Sequence, residues 1–321
     1  MPTASWFPVA EPAVTPRPLV WIPRPVHPDA LTLLAERSDV VLGYGDSAKD
    51  FAAVADRVSG ILLRTARVDG DMISAAPNLK IIGRHGVGVD TVDMDAARAA
   101  GVTVTTTPTA NTTSVAEHVF ALLLALRRGI VAADRGETGS DSHRAKLVGS
   151  ELAGSTLGLV GCGQIASAVA TIATHGFGMT VLAFDPALDA AEIRRRGAEP
   201  TSLDDLLRRA DAVSVHVPLV PTTRGLIGQR ELALMKKTAV VLNTARGGII
   251  NEDALLAALE AGALGGAGLD VTVEEPLPAE HPLRQRSDVI ITPHIAGQTS
   301  QALRRVSLQA AASILEVVAP G

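Results

Sequence analysis

The sequence has few cysteines, few aromatic residues and no long hydrophobic run. Its single cysteine, Cys162, excludes an internal disulfide, which is typical of a protein in a reducing cytoplasm. Aromatic residues make up only 2% of the chain, so Leu, Val, Ile and Ala have to fill any core. The longest apolar runs, such as VFALLLAL at 119–126, are too short to span a bilayer.

Excess charge is also absent. The formal net charge is −5, which argues against a nucleic-acid surface. The first residues lack the basic and apolar regions of a signal peptide. A hydrophobic content of 47% and a charged content of 20% are typical of a globular protein with a sizeable core. We therefore expect a soluble cytoplasmic protein with neither a nucleic-acid nor a membrane partner.

Residues 1–18 contain five prolines and are predicted to form an irregular arm. From Leu19 onward, short apolar runs alternate with helical patterns. The helical patterns lie near 28–37, 49–57, 69–76, 90–99, 111–129 and 299–318, with further ones between the later strands. The predicted strands are LVWI, VVLGY, GILLR, KIIGR and VTVTT in a first series, then TLGLVG, TVLAFD, AVSVHV, AVVLN, GAGLD and VIITP in a second.

Two such series predict an α/β fold with two doubly wound parallel-sheet domains, because alternating strands and helices build right-handed βαβ units. The last helical pattern has no strand after it, so we expect it to return to the first domain. The predicted boundaries are 19–109 plus 298–321 for the first domain and 110–297 for the second. The chain would then cross between the domains twice, near TPTAN and TPHIAG.

A glycine-rich turn carries the strongest local signal. Gly161 and Gly163 follow a five-residue apolar strand and open a helix, and Asp185 lies 22 residues after Gly163 at the end of the next strand. Gly161 would make the tight turn, and Gly163 would let the backbone approach a pyrophosphate at the helix N-terminus. Ala166 occupies the third glycine position, which the fingerprint tolerates. The alternative is an ordinary glycine turn.

Asp185 would accept hydrogen bonds from the adenosine ribose hydroxyls and repel a 2′-phosphate. No Arg follows it within the next eight residues, so NAD is favoured over NADP. Cys162, inside the turn, is interpreted as a small packing residue rather than a redox sensor. No metal site is predicted.

Three titratable or charged side chains follow strands of the second series. They are Arg246 in NTARGG, Glu275 in DVTVEEP and His294 in TPHIAG. Each has a structural alternative when taken alone: a surface salt bridge, a solvated loop acid and a core histidine. Together they lie where ligands bind in open α/β sheets, at the carboxyl ends of the strands.

From about Leu19 to its end the sequence resembles the D-isomer-specific 2-hydroxyacid dehydrogenases, including the phosphoglycerate dehydrogenase and hydroxypyruvate reductase branches. The segments that carry the resemblance are GRHGVGVDTVD, GCGQIA, HVPLVPTTRGLI, NTARGGIINEDALLAAL, GLDVTVEEPLP and TPHIAG. The resemblance implies a flavodoxin-like substrate domain, a Rossmann NAD domain, a homodimer, and NAD-dependent interconversion of a D-2-hydroxy acid and its 2-oxo acid.

The resemblance also implies a role for each strand-end residue. His294 would be the acid/base that gives a proton to the carbonyl oxygen or removes it. Glu275 would hydrogen-bond the other ring nitrogen, orient the ring and favour its charged form. Arg246 would grip the substrate carboxylate in a bidentate fork. Formate dehydrogenases on this scaffold pair a glutamine with the histidine, so Glu275 argues against that branch.

Further positions follow from the same resemblance. Gln164 departs from the family pattern, where an arginine commonly touches the pyrophosphate. His85 is left open between facing the substrate and capping a turn. Arg64 and Arg84 have an alternative as structural salt bridges. The implied substrate contacts are Arg64, Arg84, Gly86, Val87, Arg246 and His294, and the implied cofactor contacts are Val87, Gly161, Gly163, Gln164, Ile165, Asp185, His216, Val217, Pro218, Thr244, Asp270 and Gly297.

A second hypothesis for function is an NAD-sensing binding protein with little turnover. Corepressors that resemble this family keep the scaffold and often its catalytic residues. The specific 2-hydroxy acid is not predicted from the sequence. The arginines could serve a dianion such as 3-phosphohydroxypyruvate or a sulfonated analogue, or else a small acid such as hydroxypyruvate or glyoxylate.

Overall fold

The computed structural model describes residues 16–135 and 148–320. The predicted N-terminal arm lies outside the described residues except for positions 16–18. The described residues form two compact units. One unit contains the residues up to Pro108 and those from Leu303 onward, and the other is Thr109–Ala302. The chain passes between the units after Pro108 and after Ala302, where the sequence predicted 109 and 297.

A five-stranded parallel sheet forms the first unit, in the order β2-β1-β3-β4-β5. All four residues of β1, an interior strand, are buried. Such two-sided burial is typical of parallel strands and explains their continuous apolar runs. The strands are β1 Leu19–Ile22, β2 Asp39–Leu42, β3 Val58–Leu63, β4 Ile81–Arg84 and β5 Thr103–Thr105.

The helices of the first unit are α1 Pro28–Arg37, α2 Gly70–Ser74 and α3 Met94–Ala99. The helix predicted over 49–57 is wrong, because only a single 3₁₀ turn forms there, at Phe51–Ala53. Val54 already leaves the helical region at φ −134°, and the next strand begins at Val58. α3 starts later than predicted because Asp93 caps it, its side chain accepting from the backbone N of Ala96 at 2.9 Å.

Seven parallel strands form the sheet of the second unit, in the order β12-β11-β10-β9-β6-β7-β8. The order reverses direction at β6, as in a doubly wound fold. The two-residue β8 at the edge was not predicted. The strands are β6 Thr156–Val160, β7 Thr180–Phe184, β8 Glu199–Pro200, β9 Ala212–Val215, β10 Val240–Asn243, β11 Gly266–Leu269 and β12 Val289–Ile291.

Helices cover this sheet, and the predicted α/β class with two parallel sheets is confirmed. The described ranges contain no helix with the length and hydropathy to cross a membrane. The remaining helices, with a 3₁₀ turn at Pro282–Gln285, are α4 Thr112–Arg127, α5 Ile130–Arg135, α6 Gln164–Phe177, α7 Ala190–Arg195, α8 Leu203–Arg209, α9 Gln229–Leu234, α10 Glu252–Glu260 and α11 Ser300–Val318.

The candidate residues of this unit follow the carboxyl ends of its strands. Because all seven strands are parallel, those ends lie along one edge of the sheet. The sheet order brings the glycine turn after β6 beside the segment after β9, followed by those after β10, β11 and β12. The positions that directly follow these strands are Gly161, His216, Thr244, Asp270 and Thr292.

Candidate active site

The glycine turn has one glycine at positive φ and one unobstructed glycine. Gly161 has φ +95°, and a Cβ built on it would lie 2.9 Å from the backbone carbon of His216. Only glycine fits that turn without movement. Gly163 is extended, at φ −77° and ψ −163°, and a Cβ on it would meet no atom of the other described residues within 4 Å, its chain neighbours aside. It directly precedes Gln164 and Ile165, the first two residues of α6.

Side chains hold the peptide groups of Cys162 from both sides. The backbone N of Cys162 donates to Asp185 Oδ2 at 2.9 Å, and its carbonyl O accepts from Arg196 Nη1 at 2.6 Å. Arg196 Nε in turn donates to Glu192 at 2.6 Å. Burial raises the pKa of the Cys162 thiol, which disfavours the reactive thiolate. These contacts support the packing interpretation of Cys162.

The segment after β9 contributes a half-buried neutral histidine. Burial lowers the pKa of His216 to about 4, and its Nε2 lies 2.9 Å from the Ser214 hydroxyl. The Val217 side chain packs against Gly161, since its Cγ1 would be 2.9 Å from a Cβ there. Pro218 is exposed and follows Val217 along the same edge. His216 and Val217 therefore form a wall of the glycine turn.

Thr244 carries an unsatisfied polar atom at the strand ends. The residue is buried, yet its hydroxyl Oγ1 has no hydrogen-bond partner among the described residues. Buried polar groups are usually paired, so such an atom calls for a ligand. The open space beside Gly163 and the start of α6 are on the same edge, where the first backbone N–H groups of a helix have no partner within the helix. This set of donors and open space fits a dinucleotide.

A buried asparagine fixes the turn that presents Arg246. Asn243 Nδ2 donates to the Arg246 carbonyl at 2.8 Å, and Asn243 Oδ1 accepts from the backbone N of Ala245 at 3.0 Å. Gly247 packs directly on the segment after β11, because a Cβ on it would overlap the Thr272 carbonyl. The Arg246 side chain is half-buried, and its Nη1 donates to the Ala245 carbonyl at 2.7 Å. The chain thus turns sharply beside the guanidinium.

Glu275 and His294 form a hydrogen-bonded pair. His294 Nδ1 lies 2.8 Å from Glu275 Oε2, and Glu275 Oε1 accepts from the backbone N of Thr272 at 3.3 Å. Both side chains are partly exposed, at 49% for His294 and 39% for Glu275. His294 has φ +53°, an uncommon conformation for a non-glycine residue. The pair is therefore oriented and still accessible to a ligand.

Asp270 holds the chain on both sides of His294. Its Oδ1 accepts from Thr292 Oγ1 at 2.6 Å and from the backbone N of Ile295 at 2.8 Å, and its Oδ2 accepts from the backbone N of Ala296 at 2.8 Å. The Asp270 side chain is fully buried. Residues 292–297, which include His294, form the histidine segment. Three of about four acceptor positions of the Asp270 carboxylate are thus occupied by donors of this segment.

Gly297 ends the histidine segment against the start of α4. A Cβ on Gly297 would lie 3.0 Å from Asn111 Nδ2, so a larger residue would push against that amide. Asn111 is the residue that precedes α4, and its Oδ1 is buried with no partner among the described residues.

The remaining predicted residues belong to the first unit. Arg84 Nη1 donates to the carbonyls of Leu63, Arg64 and His85, the first at 3.2 Å and the last at 2.9 Å. Arg64 is half-buried and donates to the Pro25 carbonyl at 2.9 Å. Within this unit both arginines bind backbone carbonyls, an arrangement that neither the ligand interpretation nor the salt-bridge interpretation predicted.

His85, left open by the sequence, is buried. Its Nε2 lies 2.9 Å from the hydroxyl of Ser307 on α11, and burial together with Arg64 and Arg84 lowers its pKa to about 4. Gly86 follows at φ +139° and donates from its backbone N to Thr107 Oγ1 at 3.0 Å. The prediction that His85 faces the substrate gains no support from these contacts.

Sequence reasoning missed the residues that support the charged ones. Asn243 donates to the Arg246 carbonyl, the backbone N of Thr272 donates to Glu275, and Thr292 donates to the Asp270 carboxylate. His118 reaches Asp270 through the Thr292 hydroxyl. The signal for Asn243 was present, because a polar residue closing a buried strand needs partners. His118 lies in the middle of α4, and its sequence position does not reveal that contact. In the described residues, no group of three or more His, Cys, Asp or Glu is placed to hold a metal.

Comparison with known proteins identifies the second unit. Residues 120–296, more than half of the chain, match the family model for the NAD binding domain of D-isomer specific 2-hydroxyacid dehydrogenases. The chain is 39% identical over 314 residues to a glyoxylate reductase of Aeropyrum pernix, covering 93% of this chain and 92% of that protein. It is 40% identical over 298 residues to D-3-phosphoglycerate dehydrogenase of Mycobacterium tuberculosis.

That second match covers 92% of this chain but only 56% of the relative, so the chain spans about half the length of the phosphoglycerate dehydrogenases it resembles. Among solved structures, the fold matches D-lactate dehydrogenase from Aquifex aeolicus, a complex with NAD and lactic acid. The TM-score is 0.79 and the identity 28%, with 93% of this chain and 94% of that one covered.

Proposed function

Because the chain belongs to the D-isomer specific 2-hydroxyacid dehydrogenase family, we propose that it is an NAD-dependent oxidoreductase interconverting a D-2-hydroxy acid and its 2-oxo acid. The observation that carries the proposal is the pair of Glu275 and His294, 2.8 Å apart and accessible. Glu275 comes after β11 and His294 after β12, in the same sheet whose β6 precedes the glycine turn.

The family's NAD binding domain spans 120–296, and its residues fit the dinucleotide. Gly163, Gln164 and Ile165 would receive the pyrophosphate at the start of α6. Asp185 would accept from the adenosine ribose with the lone pairs not used by the turn. The remaining predicted contacts lie along the strand ends or in the first unit: Val87, Gly161, His216, Val217, Pro218, Thr244, Asp270 and Gly297.

When bound, NADH supplies the hydride that arrives at the carbonyl carbon of the 2-oxo acid. His294, charged, would give a proton to the carbonyl oxygen, and neutral His294 would remove that proton in the reverse reaction. Glu275 accepts from Nδ1 and so leaves Nε2 as the nitrogen that exchanges the proton with the substrate. The pair thus fixes both the ring orientation and the working nitrogen.

Arg246 would bind the substrate carboxylate. Guanidinium and carboxylate form two parallel hydrogen bonds, which orient the carbonyl toward hydride and proton donors. The turn held by Asn243 and the packing of Gly247 restrict where that guanidinium can point. A fixed donor of this kind also stabilises the oxyanion charge that develops in the transition state.

The proposal for the substrate stays at the level of the 2-oxo acid class. Glyoxylate reductase and D-3-phosphoglycerate dehydrogenase are the names of two similar proteins, and they differ in whether a second anion is present. Arg64 and Arg84, with Gly86 and Val87, are the first-unit residues proposed to contact the substrate. In their present contacts both arginines bind backbone carbonyls, which favours a small acid over a dianion.

The test is NADH oxidation with 3-phosphohydroxypyruvate, hydroxypyruvate, glyoxylate and sulfopyruvate in parallel. Turnover of at least one acid is expected, and a preference for glyoxylate or hydroxypyruvate fits the arginine contacts. A preference for a phosphorylated or sulfonated acid would instead assign Arg64 and Arg84 to a second anion. If NADH binds tightly and no acid is reduced, the enzyme proposal is wrong.

A cytoplasmic location and a homodimer remain predictions from composition and resemblance. The NAD-sensing alternative gains no support from the similar proteins named above, which are a reductase and dehydrogenases.

A further inference from the structure

We infer that His118, on α4, positions the acid/base His294 through a hydrogen-bond relay of Thr292 and Asp270. The inference rests on the proposed function, because it concerns the geometry of the proposed proton donor. His118 Nε2 lies 3.0 Å from Thr292 Oγ1, which lies 2.6 Å from Asp270 Oδ1. None of the roles derived above includes His118.

The chemistry of the three groups fixes the direction of the relay. The Asp270 carboxylate can only accept, so the Thr292 hydroxyl donates its single proton to Oδ1. The Thr292 oxygen then has only lone pairs left for His118, whose Nε2 must carry a proton and donate. Nε2 of His118 also lies 3.5 Å from Asp270 Oδ1. His118 therefore acts as a donor toward Asp270.

Asp270 transmits this arrangement to the histidine segment. Its carboxylate accepts from the backbone N of Ile295 and Ala296, and its carbonyl accepts from the backbone N of His294 at 2.8 Å. The backbone N–H groups of three consecutive residues, 294–296, thus all donate to Asp270. The relay from His118 fixes the rotamer of the carboxylate that two of them use.

The backbone of His294 needs such support. A left-handed conformation is unfavourable for an L-residue such as His294, at φ +53°, and it persists only where the surroundings over-determine it. Burial makes the relay effective, since the Asp270 side chain is inaccessible and that of His118 is only 17% exposed. Loss of His118 would leave the Thr292 hydroxyl without its donor and free to turn away from Asp270 Oδ1. The Asp270 carboxylate would then lose one of its three donors, and His294 would shift with it.

The first experiment removes the donor and keeps the ring. His118→Phe cannot donate, whereas His118→Gln keeps an N–H at a similar reach. His175→Phe, on the exposed face of α6, is the matched control. We expect kcat of His118→Phe to fall by about tenfold or more, because displacements near 1 Å cost up to about 10²-fold. KM for the 2-oxo acid should stay near wild type, the loss of NADH affinity should be smaller than the loss of kcat, and His118→Gln should recover most of kcat.

Thr292→Val and Thr292→Ser form a second pair if His118→Phe fails to fold. Valine removes the hydroxyl at similar volume and serine restores it, so only Thr292→Val should lose kcat. Wild-type kcat in either deficient variant would overturn the inference. Equal losses in His118→Phe and His118→Gln, or a loss confined to NADH affinity, would overturn it as well.

A measurement independent of turnover separates this inference from the proposed function. Long-range ¹H–¹⁵N NMR correlations on histidine-labelled protein report which ring nitrogen carries the proton. We expect a proton on Nε2 of His118, and a neutral ring protonated only on Nδ1 would overturn the relay. If the wild type reduces no 2-oxo acid, the proposed function fails while this spectrum still decides the relay.

Discussion

Replacing Gly163 by alanine tests whether the glycine turn receives a ligand. In the described part of the chain, the new methyl group would meet no atom within 4 Å beyond the neighbouring residues, and φ −77° with ψ −163° is a conformation open to alanine. The folded protein should therefore be unaffected or stabilised by about 0.4–1 kcal/mol, because alanine restricts the unfolded chain. The variant leaves the protein intact and fills only the space outside the turn.

Cofactor binding should respond differently. The second glycine of the fingerprint lets the backbone approach the pyrophosphate closely, so a methyl group on residue 163 would occupy space that the phosphate oxygens need. Losing one hydrogen bond to a charged group costs about 1.5–3 kcal/mol. We therefore expect NADH to bind Gly163→Ala about 10- to 100-fold more weakly than wild type.

Gly161→Ala is the matched contrast. At φ +95° an alanine is strained, and its Cβ would lie 2.9 Å from the backbone of His216. The cost is about 2–5 kcal/mol of folding free energy, from strain and overpacking together. Thermal unfolding should detect that loss in Gly161→Ala and not in Gly163→Ala.

The assay is fluorescence titration of each variant with NADH, beside thermal unfolding without ligand. Gly163→Ala should keep its Tm and lose affinity. If Gly163→Ala binds NADH as tightly as wild type, the turn does not approach the pyrophosphate and the placement of the cofactor is wrong. If the Tm of Gly163→Ala falls as far as that of Gly161→Ala, a side chain at position 163 meets protein atoms and the space beside Gly163 is not open.

Three further changes test other parts of the site. Thr244→Val removes the unpaired Oγ1, so it should keep or raise Tm while weakening NADH binding; unchanged affinity would remove Thr244 from the cofactor site. Gly247→Ala should lower the Tm by roughly 6 °C or more, since its Cβ overlaps the Thr272 carbonyl, and a wild-type melting curve would refute that packing. His216 has a folded pKa of about 4, below the unfolded value of about 6.5. The unfolded state therefore binds more protons, and up to about 3 kcal/mol of stability present above pH 6.5 should be lost as pH falls toward 4, with urea unfolding of His216→Gln showing a flatter profile.

The fold class and the strand-end residues could be predicted from the sequence because both depend on local patterns. Buried parallel strands appear as short β-branched runs, and their carboxyl ends meet at one edge whatever the details of packing. That rule alone placed Arg246, Glu275 and His294 on neighbouring segments. The hydrogen bond of 2.8 Å between Glu275 and His294 then depends on the sheet order, which makes the segments after β11 and β12 neighbours.

Other features depend on contacts between distant segments, which a single sequence does not encode visibly. The predicted helix at 49–57 is apolar enough, but the chain must already enter the next strand at Val58. Asp270 was predicted only as a cofactor contact, and the hydrogen bonds of its carboxylate to Thr292, Ile295 and Ala296 were not predicted. Both outcomes follow from tertiary hydrogen bonds and chain geometry rather than from local propensity.

The central claim is that His294, oriented by Glu275, exchanges the proton while hydride is transferred between NAD(H) and a 2-oxo acid. The most direct measurement is NADH oxidation by wild type and by His294→Ala with the best acid of the panel, beside NADH titrations of both. The account predicts a loss of at least about 10²-fold in kcat with NADH affinity retained. Turnover by His294→Ala close to that of wild type would contradict it.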